Sequence, residues 1–313
     1  MKSITIKALA SIMCVMCGIF LFDSCRTNET IDPDIDIPNL GGYSYPKTEL
    51  DLWLDETFLR PYNIEIIYRW DASLIYASIN KRITPVKVEK VKPMLSALAK
   101  MWFEPFQYAA PYGFLQKYAP KTIVLAGSPE YASGGSAMVL GTAEGAARIF
   151  LSNVNAFEPG NTAVLRDYLR VIEHEYGHIL NQFVNYPVEF NSISRGFYDP
   201  TGWAQNYESD EDAYRRGFFS TYSMSSPEED FVEVVAWILV RGVDWFENTV
   251  IPVAAASTEN PQAADALRQK VAMVEKYYKD SFNIALFDDP VTRKKGLSTL
   301  VGEALDYVSK YSY

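Results

Sequence analysis

The sequence predicts an α+β fold, with a small sheet in its first half and a mostly helical second half. Three observations carry this. An alternating, β-branched stretch at residues 63–70 and the stretches at 121–126 and 147–154 read as strands. Apolar residues recur at helical spacing over 162–182, and again over 232–250, 260–278 and 297–311. The chain has 313 residues, 48% of them hydrophobic, which is enough to bury a large core.

The first residues are read as a targeting segment. Lys2 and Lys7 precede an apolar run over 8–22, which ends at Asp23-Ser24-Cys25. A basic start, a short apolar stretch and a small residue before a cysteine resemble a bacterial lipoprotein signal. The expected organisation is a signal peptide over 1–24, an acidic, proline-bearing linker over 25–45 held to lipid through Cys25, and a domain over 46–313. Asp32-Pro33-Asp34-Ile35-Asp36-Ile37-Pro38 has no helical period and suits an extended tether. All three cysteines, Cys14, Cys17 and Cys25, lie in this start, so the body has no cysteine for a disulfide or a metal. The net charge of −10 and the lack of a basic patch exclude nucleic acid as a partner.

Within the body, 48–59 is expected to be a helix stopped by Pro61, followed by the strand at 63–70. Residues 86–108 read as a helical region interrupted at Pro93 and Pro105. The strand at 121–126 closes at Gly127-Ser128-Pro129, and Ser133-Gly134-Gly135-Ser136 reads as a turn. Residues 185–226 have weak periodicity. A segment that long between core helices is expected to wall a cleft, with Tyr198, Trp203 and Tyr207 as candidate substrate contacts.

The chemistry concentrates at His174-Glu175-Tyr176-Gly177-His178. The chain has two histidines, and they are these two. Four apart on a helix, both imidazoles leave one face and can hold a single Zn²⁺. Glu175, beside the first ligand, can act as general base toward water activated by zinc. A catalytic zinc takes three protein ligands and one open position. Val184 stands where a third histidine would fall in a metzincin, so the third ligand is expected to be a carboxylate. Ser226-Pro227-Glu228-Glu229-Asp230-Phe231-Val232-Glu233 opens a strongly apolar helix, with Ser226 as cap and Pro227 at the first position. Glu229 and Glu233 are one turn apart. Spacing lets either bind the metal while the other receives the free ring N–H of a histidine.

These motifs resemble the gluzincins. In thermolysin-type and lethal-factor-type proteases the metal-binding Glu comes first and an acid four residues on supports a histidine. The resemblance therefore implies His174, His178 and Glu229 as ligands of one zinc per chain, with Glu233 behind them. A tyrosine seven residues before that Glu points into the site of the lethal-factor type, which implies Tyr222 as the donor to a developing oxyanion. It also implies a zincin-like fold with a small mixed sheet, in which the strand at 147–154 runs along the cleft and pairs with an extended peptide. The whole chain is similar to a family of zinc metallohydrolase lipoproteins of Bacteroidetes-type bacteria encoded near substrate-import machinery. The likeness lies in the lipoprotein start, the segment from Pro61 to Trp70, the zinc motif and Glu229-Asp230-Phe231-Val232-Glu233. It implies a lipid-anchored protein of a Gram-negative outer membrane, facing the periplasm or the cell surface, near import machinery and acting on a peptide or protein substrate. The expected function is a zinc metallopeptidase. The alternative is a surface lipoprotein that captures peptide or glycan for import around a non-catalytic zinc.

Overall fold

Two runs of three consecutive apolar residues, Ile123-Val124-Leu125 and Ile149-Phe150-Leu151, are buried on both faces and form the middle of the sheet. The structure, a computed structural model, describes residues 46–71, 83–131, 138–144 and 147–310. The signal peptide 1–24, Cys25, the linker 25–45 and the Gly134-Gly135 turn lie outside the described residues. Lys47–Tyr313 forms one compact unit.

The strands are β1 (Glu65–Ile67), β2 (Thr122–Leu125), β3 (Glu130–Tyr131), β4 (Met138–Val139), β5 (Gly141–Glu144) and β6 (Arg148–Leu151). The main sheet is mixed, in the order β1-β2-β6-β5. β1, β2 and β6 are parallel, with Ile66 opposite Ile123 and Ile123 opposite Ile149. β5 folds back antiparallel on β6, with Gly141 opposite Leu151. β3 and β4 form a separate two-stranded ladder. This corrects the expectation for the strand at 147–154. As β6 it is paired on both sides, and the outermost strand at that end, among the described residues, is β5. Which strand ends the sheet is a matter of long-range order, which the local pattern of one strand does not contain.

The helices are α1 (residues 49–62), α2 (88–109), α3 (Phe114–Tyr118), α4 (Thr162–Phe183), α5 (Phe190–Ile193), α6 (Asp210–Tyr214), α7 (Pro227–Trp245), α8 (246–255), α9 (Ala263–Phe282) and α10 (Leu297–Lys310). The prolines do not stop them. Pro61, Pro105 and Pro252 each follow a wide turn in which the preceding residue bonds five back, Arg60 N–H to Asp55 O, Glu104 N–H to Ala99 O and Ile251 N–H to Phe246 O. Widening the turn moves away the carbonyl that a proline ring would strike, so α1 and α2 run on where the sequence suggested a stop. Pro93 sits inside the first segment of α2, Val88–Leu98, without a break. α1 ends instead at Asn63, which takes the left-handed conformation at φ 58°.

α1 is fastened to the sheet by Asp51. Thr48 caps the helix, and its N–H and Oγ1 both donate to Asp51 Oδ2 at 2.7 Å. Arg69, just after β1, donates to both carboxylate oxygens at 2.6 and 2.9 Å, and the Tyr68 hydroxyl adds a bond of 2.8 Å. The Arg69 guanidinium foremost holds the carboxyl well below the usual carboxylate range. A depressed folded pKa stabilises above the unfolded value and is lost on acidification. Asp51→Asn should therefore lower unfolding stability by about 2 kcal/mol at pH 7 in urea titrations. The difference from wild type should shrink steadily below about pH 4.

Candidate metal centre

α4 begins where Asn161 Oδ1 accepts from Ala163 and Val164 N–H, at 3.1 and 3.3 Å. α7 begins where Ser226 Oγ accepts from Glu229 N–H at 3.3 Å, with Pro227 at the first position, as expected. The two helices lie antiparallel and touch at Gly177. A Cβ there would lie 3.0 Å from Val232 Cγ1, tighter than packed carbon atoms tolerate without a shift. The glycine of the motif thus lets α7 close on α4, and successive turns of the two helices meet in register. His178 faces Glu229, His174 faces Glu233, and Arg170 lies over the Trp237 ring at 5.2 Å.

The first two of these pairs form the centre. His174 Nε2 and His178 Nε2 are 3.2 Å apart, and Glu229 Oε2 is 3.1 Å from the first and 3.3 Å from the second. Ligands set tetrahedrally about 2.0–2.1 Å from a zinc ion lie roughly 3.3–3.4 Å from one another. The three donors therefore stand close to the corners of such a tetrahedron. Two imidazoles and one carboxylate also suit zinc chemically, so the residues present fit the ion. Among the described residues this is the group of metal-capable side chains that converges in this way.

The structure separates the two glutamates. Glu229 completes the donor triangle. Glu233, fully buried, receives His174 Nδ1–H at 2.8 Å and so fixes the tautomer that leaves Nε2 free to bind. It also accepts from Arg170 Nη1 at 2.9 Å, Ser220 Oγ at 2.6 Å and Trp237 Nε1 at 2.9 Å. Burial works against its charge, but the His174 bond and the Arg170 charge hold its carboxyl down to about 2. Burial would likewise discharge His174, yet Glu229 and Glu233 overcome it and hold the imidazole up to about 10.

Glu175 is half-buried beside the triangle, and its charge acts on both His174 and Tyr222. Tyr222 stands in the short turn Tyr222–Met224, its ring 5.8 Å from that of His174. Burial, then the charge of Glu229, pushes its phenol up, so it remains a hydrogen-bond donor. Of the three aromatics expected to contact substrate, Trp203 meets Tyr222 edge-on at 4.9 Å. Tyr198 and Tyr207 are committed elsewhere, with hydroxyls on Asp230 at 2.8 Å and on Asp199 at 3.1 Å.

Several supporting residues escaped the sequence reading. Arg170, Ser220 and Trp237 hold Glu233. Lys270 and Asp230 form an ion pair at 2.6 Å with both side chains fully buried. Lys270 also donates to Gly217 O at 2.7 Å and lies 3.9 Å from the Phe218 ring. It therefore ties α9 to the first turn of α7, next to Glu229, and to the segment that leads to Ser220 and Tyr222. Glu173 is buried one residue before His174, and neither carboxylate oxygen has a hydrogen-bond partner among the described residues. Burial raises its pKa well above the usual range, so it stays protonated in the core. A signal for it existed, since Glu173 falls on the same helical stripe as Leu169, Tyr176 and Leu180.

Fold and centre together define an α+β protein of the metallopeptidase type, with a His-His-Glu donor set between two antiparallel helices. The chain belongs to the family described as "Putative zinc-binding metallo-peptidase", whose model matches residues 44–287. Among solved structures, a protein of Bacteroides caccae described in the same words is 28% identical, with a TM-score of 0.67. The match covers 85% of this chain and 97% of that one. No curated protein matches the chain.

Glu233→Gln keeps the shape of the side chain but removes the charge that strengthens His174. It should weaken zinc binding by roughly 10–100-fold in chelator competition, with the fold retained by circular dichroism.

Proposed function

We propose that this protein is a zinc-dependent metallopeptidase of the gluzincin type, with one zinc per chain held by His174, His178 and Glu229. The observation that carries this is the donor triangle at tetrahedral spacing with Glu175 immediately beside it. A site that only held structural zinc would have no use for a carboxylate base at that place. Three protein donors, as converge here among the described residues, are the number a catalytic zinc takes beside water. When bound, zinc supplies Lewis acidity and lowers the pKa of water toward about 7.

The chain's own residues divide the remaining work. Glu175 takes the proton of the attacking water and passes it to the leaving amine, so the charge it gains and loses stays at one carboxylate. Tyr222, kept protonated, donates to the oxyanion that develops on the carbonyl. Glu233 holds His174 in the binding tautomer and disperses the charge that builds there. β5, outermost of the described strands at its end of the sheet, offers backbone groups to an extended peptide in place of β6.

Glu175→Gln should retain one zinc per chain by metal analysis and lose about 10²–10⁴-fold in kcat/KM on a mixed peptide library. Undiminished cleavage by that variant would sink the mechanism. Zinc in both proteins with cleavage by neither would favour capture of a ligand over hydrolysis.

We also propose that Cys25 anchors the protein to the outer membrane of a Gram-negative bacterium, facing the periplasm or the surface, beside import machinery. The basic start, the apolar run and Ser24-Cys25 support this. Cys25→Ala should move the protein from the membrane to the soluble fraction in cell fractionation. Unchanged membrane association would remove the anchor.

A further inference from the structure

Past Arg170 and Trp237 the two central helices offer one more facing pair, and it joins two cations. Arg166 lies one turn before Arg170 on α4, and Arg241 lies one turn after Trp237 on α7. Burial, and then the charge of Arg166, pulls the Arg241 guanidinium below its usual range. Arg170 is answered by the Glu233 carboxylate at 2.9 Å. Among the described residues no carboxylate answers Arg166 or Arg241. The Arg166 Nε–H is shut off from solvent without a hydrogen-bond partner. The chain has 39 acidic residues against 29 basic ones, yet none neutralises this pair. Asp210 is engaged by Thr221 N–H at 3.0 Å and by the charge of Arg170.

The pair is also held in place. Arg241 lies over the Trp245 ring at 5.1 Å, and Trp245 stacks on Trp237 at 5.4 Å with 24° between the planes. A guanidinium laid on an indole gives its face to the ring and keeps the N–H groups at its edge free. Trp237 is itself fixed by its bond to Glu233 at 2.9 Å. Tyr214 of α6 meets Trp245 edge-on at 6.3 Å. It is 7% exposed, yet its hydroxyl makes no hydrogen bond among the described residues. Burial and then Asp210, against the pull of Arg241, push the phenol up to about 12, so it stays a donor. Arg241 is exposed, and Arg166 and Trp245 are partly so, which leaves the place open to solvent. Like charges brought together cost stability, and so does a buried polar group without a partner. Both costs fall on the same few residues, and one ligand of the opposite charge would remove both.

We propose that Arg166, Arg241 and Tyr214 form a binding site for an oxyanion of the phosphate class, free or as a monoester. Two guanidiniums and a hydroxyl from three helices supply donors and no acceptor, which suits a dianion with oxygens in several directions. A planar carboxylate would be satisfied by one guanidinium fork. Arg166 stands eight positions before His174, about 12 Å along α4, so this site is separate from the donor triangle and does not depend on the peptidase reading.

The test uses the full-length, zinc-loaded protein at low ionic strength. Inorganic phosphate, glycerol 3-phosphate and acetate are titrated by calorimetry into wild type and into Arg166→Gln, Arg241→Gln, Arg241→Lys and Tyr214→Phe. Wild type should bind phosphate or the monoester more tightly than acetate, and the tighter of the two identifies the natural form. Each arginine-to-glutamine change should weaken that binding by about 10–100-fold, and Tyr214→Phe by about 2–10-fold, with zinc content unchanged. Arg241→Lys should fall between wild type and Arg241→Gln, because it keeps the charge and loses the fork. Phosphate should also raise the thermal midpoint of wild type and not that of the glutamine variants. Arg241 is exposed, so its two variants keep the test decisive even where Arg166→Gln fails to fold by circular dichroism. Equal affinity in wild type and the Arg241 and Tyr214 variants would place the anion on the zinc and overturn the proposal. So would no binding by wild type, or acetate bound as tightly as phosphate.

Discussion

A single buried carboxylate, that of Glu233, joins everything that gives this protein its chemistry. Taking a carboxylate out of water costs several kcal/mol unless its oxygens are satisfied. Here four donors satisfy them, and they come from both helices of the centre and from the segment between them. His174 and Arg170 belong to α4, Trp237 to α7, and Ser220 to the long connection. The bond that orients a histidine is therefore also the bond that closes the helices and draws in the turn bearing Tyr222. Metal affinity and tertiary structure therefore draw on the same contacts. Lys270 and Asp230 repeat the device one residue from Glu229, with a buried pair that fixes a third helix against the same turn.

How much of this could be read from the chain depended on distance along it. The histidine pair, Glu175, the Ser226-Pro227 start and the helix at 162–183 were all legible, because each is encoded within one or two turns. Spacing alone left Glu229 and Glu233 interchangeable, since a helical repeat of four does not say which turn faces a partner helix. In the structure the close approach at Gly177 and Val232, residues 55 positions apart, brings Glu229 to both histidines and Glu233 to the other nitrogen of His174. Arg170, Ser220, Trp237 and Lys270 were illegible for the same reason. Each looks like an ordinary surface or helix residue until the carboxylate it serves arrives from elsewhere.

The errors were equally physical. Pairing with a peptide requires the strand at 147–154 to have a free edge, yet Ile149-Phe150-Leu151 is continuously apolar, the mark of a strand covered on both faces and suited to the interior of a sheet. Pro61 reads as a stop and Pro93 and Pro105 as interruptions because a regular α-helix does not easily hold them. The chain instead widens the turn ahead of Pro61 and Pro105, and likewise ahead of Pro252, and keeps the helix.

Those wide turns have a bearing on how such a chain can vary in length. In a regular helix an added or lost residue rotates everything beyond it by about 100°, carrying a buried face into solvent. A five-residue turn already holds the surplus residue locally, and the helix beyond keeps its facing. The three turns are accordingly joints where relatives can differ by one residue without disturbing the packing on either side. α4 and the stretch of α7 that carries the donors have no such joint, so at the centre every residue is counted.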